Sequence, residues 1–273
     1  MGQITPVVKW LLILNLGIYF LDTLVLKGPG EADGPIRRFG AFNIQTAIFE
    51  GQVWEFITFQ FIHGFVGHVL FNCIGIYFFG PWMERWWGSL KFLIFYLLCG
   101  AAGAAFYTLL VFIGVLPVHD FQGGLVGASA GIYGIFIGVA MIAPSLRVTL
   151  LFPPVELSMR QLAIGLLAYA VLMIVMKWGG NEGGEAGHLG GAILGFVLVR
   201  FSRLLGGPQT VEVVRPRVVS PSAKSKLRPR SALDKEQDSE LDRILDKISS
   251  QGFQSLTDKE KQILQALSNS KKS

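Results

Sequence analysis

The stretch "GLVGASAGIYGIFIGVAMIA", Gly124 to Ala143, is apolar but carries an aliphatic hydroxyl near its front, Ser129, framed by Gly127 and Gly131. Elsewhere "HVLFN" sets His68 and Asn72 four residues apart, on one face of a helix, and "GHLGGAILG" carries His188 inside another apolar block. A hydroxyl, an imidazole able to take its proton and an amide able to hold a developing oxyanion are the material for acyl transfer. Each group also has a plainer reading. A serine in a glycine-rich membrane helix commonly serves packing, and a lone intramembrane His or Asn can act as interhelical glue.

These groups need elements to hold them, and the composition says which kind. The 273 residues are 51% apolar and 16% charged, too apolar and too poor in charge for an ordinary soluble domain. The apolar residues gather into blocks that predict helices near Trp10 to Leu26, Gly67 to Met83, Phe92 to Pro117, Ser129 to Ala143, Leu162 to Met176 and Ala186 to Phe201. The expected fold is all-α, a polytopic bundle of six transmembrane helices with a cytoplasmic helical tail. The first block has only Lys9 before it and no small-residue cleavage site after it, so it is expected to stay in the protein rather than act as a signal peptide.

Placing the N-terminus inside puts Lys9, Arg85, Lys91, Arg147, Arg160, Arg200 and Arg203 in the cytoplasm, against Lys27, Arg37, Arg38 and Lys177 outside. The second, fourth and sixth blocks then run from outside to inside. His68, Ser129 and His188 open those blocks, so all three fall at similar shallow depth near the outer face. Asn72 shares the face of His68, and Tyr133 stands one turn below Ser129. Glycines at 127, 131, 134 and 138 make a small stripe on the fourth block, with Gly191 and Gly195 following His188 on the sixth. Such residues let helix backbones touch in lipid. The fourth block is also short, spanning roughly 22 Å against a hydrocarbon core of about 30 Å. The loop "LPVHDFQGGLVGA" before it therefore descends, which requires burial in protein or a water-filled cavity.

Other polar and aromatic residues read as ordinary membrane features. Asp22, Glu84 and Arg85 lie near span ends, where side chains reach interface water. Trp82, Trp86 and Trp87 read as an interface belt, Cys73 and Cys99 as small fillers within spans rather than a disulfide or metal site, and His119 as a surface loop residue. The net charge of +5 comes largely from the tail and does not call for nucleic acid as a partner.

At these residues the chain resembles the rhomboid family of intramembrane serine proteases, over roughly Trp10 to Phe201. "GASAGIYG" matches the family's Gly-x-Ser-x signature, "HVLFN" its His-x-x-x-Asn signature and "GHLGGAILG" its His-bearing last core helix. The resemblance implies a catalytic Ser129–His188 dyad without an acidic third member. It implies an oxyanion site from Asn72, His68 and the Ser129 backbone N–H, Tyr133 packed on His188, a supporting His63, and no cofactor or metal. Two departures stand out: Glu55 follows Trp54 where many relatives carry Trp-Arg, which touches the first loop's internal bonding, and Ala130 follows the serine where glycine is frequent.

The expected domains are 1–205, the membrane bundle; 206–236, a basic Pro/Ser-rich cytoplasmic linker near anionic lipid heads; and 237–273, a small helical hairpin. In the hairpin Leu241, Ile244, Leu245 and Ile248 share one face and Gly252 can close the helix. Thr257 and Glu260 have capping-box spacing for a second helix with Ile263, Leu264 and Leu267. The hairpin resembles an appendage of some bacterial rhomboids and is expected to dock on an unidentified partner. The function expected is cleavage of transmembrane-protein substrates near the outer face of a bacterial inner membrane. The alternative is a catalytically inactive rhomboid-like protein that binds transmembrane segments.

Overall fold

In a computed structural model the described residues are 4–117, 124–150, 154–178, 180–202, 242–244, 246–248 and 253–270. His119, Arg203, the linker 206–236, Leu241, Leu245 and Gly252 lie outside them. The chain divides into two compact units, Met1–Val213 and Val214–Ser273.

The first unit is mostly helical. α1 spans Pro6–Phe20 and continues as a π-helical turn, Leu21–Leu26. Two short helices follow, α2 at Pro35–Gly40 and α3 at Glu55–Thr58. The long helices are α4, Val66–Trp87; α5, Ser89–Phe112; α6, Ser129–Ile142; α7, Met159–Met176; and α8, Glu182–Arg200. Together with α1 they lie where the six apolar blocks predict helices. Among the described residues four are long and apolar enough to cross a membrane: Pro6–Leu26, Val66–Trp87, Ser89–Phe112 and Met159–Met176. Between α6 and α7 an antiparallel ribbon, β1 (Arg147–Thr149) with β2 (Glu156–Ser158), pairs Val148 with Leu157. Apolar periodicity does not predict strands this short.

The core lies where α1, α4, α5 and α6 meet, around Leu11, Ile76, Met83, Phe95, Tyr96 and Ile135, all buried. Large apolar side chains also lie on the outer surface: Leu24 is 72% exposed and Val175 70%. A surface of that kind is stable against lipid and not against water.

Several helix ends are set by partners far away in the chain. Pro6 opens α1, its missing N–H costing nothing in the first turn. The next two amides donate to Glu84 of α4, Val7 N–H to Oε1 at 2.9 Å and Val8 N–H to Oε2 at 3.0 Å. Glu84 also accepts from Ser89 Oγ at 2.7 Å and is only 3% exposed, so it does not reach interface water. Asp22 is likewise buried: it accepts from Ile36 N–H at 2.7 Å and Arg37 N–H at 3.1 Å, the first turn of α2. Both carboxylates satisfy amides at helix N-termini, where negative charge is favoured. Trp87 departs from the expected belt too, being buried edge-on against Phe95 with ring centroids 5.1 Å apart.

The second unit has a helical turn around Ile244, which is buried, and a helix at Asp258–Ser270. The capping box is present. Thr257 N–H donates to Glu260 Oε2 at 2.7 Å, and Glu260 N–H donates to Thr257 Oγ1 at 3.4 Å. The Thr257 amide, then the Lys247 ammonium 2.9 Å away, pull the Glu260 carboxyl down to about 2.

Two outcomes follow. Glu84→Ala leaves the α1 amides without their acceptor, so unfolding free energy in detergent micelles should fall by roughly 2 kcal/mol; an unshifted denaturation midpoint would show that solvent replaces the carboxylate. For Glu260 the folded value lies below the ordinary 4.5, so its contribution is complete above that pH and is lost as pH falls toward 2. A carboxyl NMR titration of the full chain should place its midpoint near 2, and a midpoint near the ordinary value contradicts the contact.

Candidate active site

Ser129 is the first residue of α6, with Ala128 before it as the N-cap. The segment leading to it is held by backbone pairing. Phe42 and Leu125 exchange hydrogen bonds, Phe42 N–H to Leu125 O at 3.0 Å and Leu125 N–H to Phe42 O at 2.7 Å, and Gly127 N–H donates to Phe59 O at 2.9 Å. The non-helical approach to Ser129 is therefore buried in protein at Leu125, as a descending loop requires.

The long loop supplying Phe42 and Phe59 is itself tied by Glu55. This carboxylate, 1% exposed, accepts from Asn43 N–H at 2.9 Å and Thr46 Oγ1 at 2.8 Å. Trp54 stacks on Phe39 with centroids 5.1 Å apart and donates its indole N–H to Phe39 O. The departure at residue 55 thus contributes to the loop's internal bonding through Glu55 Oε2.

α8 lies against both α5 and α6 because its glycines leave no room for side chains. A methyl group on Gly191 would overlap the Ala130 carbonyl oxygen, and one on Gly195 would come within 2.8 Å of the Gly134 Cα. The glycine stripe of α6 is divided between neighbours. Gly134 meets Cys99 of α5 as well as Gly191 of α8, Gly131 faces Tyr96 of α5, and Gly138 faces Met83 of α4 as well as Val199 of α8. This approach sets the His188 Nε2 2.8 Å from the Ser129 Oγ. Tyr133 stacks flat on the imidazole, 4.2 Å between centroids and 9° between planes.

Ser129, His188, Tyr133, His68 and Asn72 line one cavity of about 620 Å³, open to one side, with Asn181 also on its wall. Five of the residues expected at the site share this wall, and Gly127, also expected there, lies against the His68 ring. Asn72 gives one amide hydrogen to the His68 carbonyl of its own helix, at 2.8 Å from Nδ2, which leaves the other hydrogen for a ligand. His63 sits behind the cavity, edge-on to His68 at 5.0 Å. Burial first and the His68 ring second push its imidazole down to about 3, so it is a neutral packing partner near pH 7.

One expectation is corrected. The imidazole does have an acidic neighbour: Glu185 Oε2 lies 2.9 Å from His188 Nδ1. The signal was in the sequence, since positions i and i+3 share a helix face, but it depended on α8 beginning at Glu182 rather than at Ala186. "EGGE" has poor helix propensity, and acidic residues in a first turn offset it.

The rhomboid domain profile covers residues 50–203, and a family of unknown function, DUF6576, covers residues 234–270. The chain is 25% identical over 197 residues to the rhomboid protease AarA of Providencia stuartii, covering 69% of each chain. It is 31% identical over 160 residues to the rhomboid-family protein YdcA of Bacillus subtilis (strain 168), covering 58% of this chain and 73% of YdcA. It is 24% identical over 185 residues to the rhomboid protease GluP of the same organism, covering 68% of this chain and 33% of GluP. The chain is an integral membrane protein, and it belongs to the rhomboid family.

Gly127 tests the geometry on its own. Its φ is +116°, and a methyl group there would stand 2.6 Å from His68 Nε2. Gly127→Ala should destabilise the protein by roughly 1–3 kcal/mol, measured by thermal unfolding in detergent; an unchanged melting temperature would contradict the backbone described.

Proposed function

We propose that this chain is an intramembrane serine endopeptidase in which Ser129 is the nucleophile and His188 the general base. The observation that carries this reading is the 2.8 Å approach of Ser129 Oγ to His188 Nε2 on the wall of a cavity that also presents His68 and Asn72. Names of relatives as rhomboid proteases support the same class of reaction.

In acylation the Ser129 oxygen bonds to the peptide carbonyl carbon as its proton passes to Nε2. The resulting oxyanion is met by the free Asn72 amide hydrogen, by His68 and by the Ser129 backbone N–H at the positive end of α6. The carbon–nitrogen bond then breaks and Nε2–H goes to the leaving amine. Water drawn from the cavity repeats the sequence on the acyl-enzyme and frees Ser129. Tyr133 holds the ring plane throughout.

The proposal extends to placement. Six spans with both termini in the cytoplasm put the cavity near the outer face of a bacterial inner membrane, as the Lys and Arg distribution favours. Substrates are transmembrane segments reaching the site sideways past α7, with small residues at the cut and helix-breaking residues nearby that free the strand. The chain is proposed to divide at 1–205, 206–236 and 237–273. The basic linker lies along anionic lipid heads, and the hairpin docks on a partner whose chemistry its residues do not specify.

Purified protein in lipid vesicles, given a single-span membrane substrate and a fluorophosphonate probe, should cleave the one and be labelled by the other. Ser129→Ala should lose both, and His188→Ala should cut turnover by about 10³-fold. Undiminished cleavage by Ser129→Ala would refute the proposal, while a folded wild type that binds the substrate without cutting it would favour the inactive, segment-binding alternative.

A further inference from the structure

The His188 ring is engaged on both sides. Nε2 faces Ser129 at 2.8 Å and Nδ1 faces Glu185 Oε2 at 2.9 Å. The pair with Glu185 is not a surface contact, the side chains being 15% exposed for His188 and 7% for Glu185. A buried carboxylate needs a donor, and here the imidazole is one. We propose that Glu185 is the positioning residue for His188, completing a hydroxyl–imidazole–carboxylate relay in this chain, an assignment that rests on the reading of Ser129 as nucleophile.

The chemistry runs through the tautomer. An ionised carboxylate can only accept, so Nδ1 carries the ring proton and Nε2 presents its lone pair to the Ser129 hydroxyl. The opposite tautomer would put a hydrogen on Nε2 and leave the hydroxyl without a base. As Oγ bonds to the substrate carbonyl carbon, the hydroxyl proton moves to Nε2 and the ring becomes a cation. That cation then lies against a negative charge at 2.9 Å, on the ring edge turned away from Ser129, where the carboxylate side chain is only 7% exposed and such pairing acts more strongly than in bulk water. Nε2–H later protonates the leaving amine. Glu185 neither gains nor loses a proton at any step.

The structure holds the ring in place from two directions. Glu185 and His188 are three residues apart on α8, so one helix fixes both. Tyr133, from α6, fixes the plane of the ring by stacking at 9°. A plainer role for Glu185 is to place negative charge in the first turn of α8, which Glu182 also does. That role requires no imidazole, whereas the Glu185 carboxylate is on one.

The test combines a direct observation with a kinetic one. In wild-type protein with ¹⁵N-labelled histidine, assigned by difference against His188→Asn, NMR should show His188 protonated on Nδ1; protonation on Nε2 overturns the proposal, and this readout does not depend on any variant at Glu185 folding. In cleavage of a single-span membrane substrate, Glu185→Gln should lower kcat by about 10²-fold with KM unchanged, and Glu185→Asp should recover part of the loss. Glu185→Gln with kcat within about twofold of wild type overturns the relay but leaves the hydrolase reading standing, provided Ser129→Ala is dead. Full activity in Ser129→Ala would bring down the hydrolase reading itself.

Discussion

Backbone contact between α6 and α8 is the constraint on which the site depends. A hydroxyl and an imidazole 59 positions apart in sequence meet at 2.8 Å because Gly191 lies directly on the Ala130 carbonyl and Gly195 on the Gly134 backbone. In lipid, water does not drive helices together, so association rests on close packing and on interhelical hydrogen bonds. Any side chain at Gly191 would wedge the two helices apart, and a separation of 1 Å is enough to cost a reacting pair its geometry. The same contact that stabilises the bundle therefore also sets the spacing of the two groups proposed to react.

Buried carboxylates do the complementary work at the ends of elements. Glu84 accepts the first amides of α1, Asp22 those of α2, and Glu55 ties the loop that pairs with the approach to Ser129. Glu185 Oε2 lies 2.9 Å from the imidazole Nδ1. Polar groups away from water must be satisfied within the protein, and in each of these places one carboxylate meets the need. The consequence is a scaffold in which these four carboxylates have fixed neighbours.

Much of this was readable before any coordinates. Ser129, His188, His68, Asn72 and Tyr133 could be placed near one another because each opens, or sits one turn inside, an apolar block, and a bilayer gives every block a common depth scale. The same periodicity was silent where contacts are long-range. That Glu84 caps a helix 76 positions away cannot be seen from hydropathy, which only marks it as a charge near a span end. Trp87 looked like its interfacial neighbours because local composition does not distinguish an inward ring from an outward one. Glu185 is the most instructive case, the carboxylate nearest the last apolar block, to which the sequence assigns no role. Its spacing to His188 was correct for contact, but glycine-rich sequence around it gave no cue that α8 had already begun.

The central claim is that this packing makes one particular hydroxyl reactive. It is tested most directly by digesting fluorophosphonate-treated wild-type protein and locating the adduct by mass spectrometry. The account predicts a phosphonyl group on Ser129. An adduct on a different serine, or no adduct in folded protein that still cleaves a membrane substrate, would contradict it.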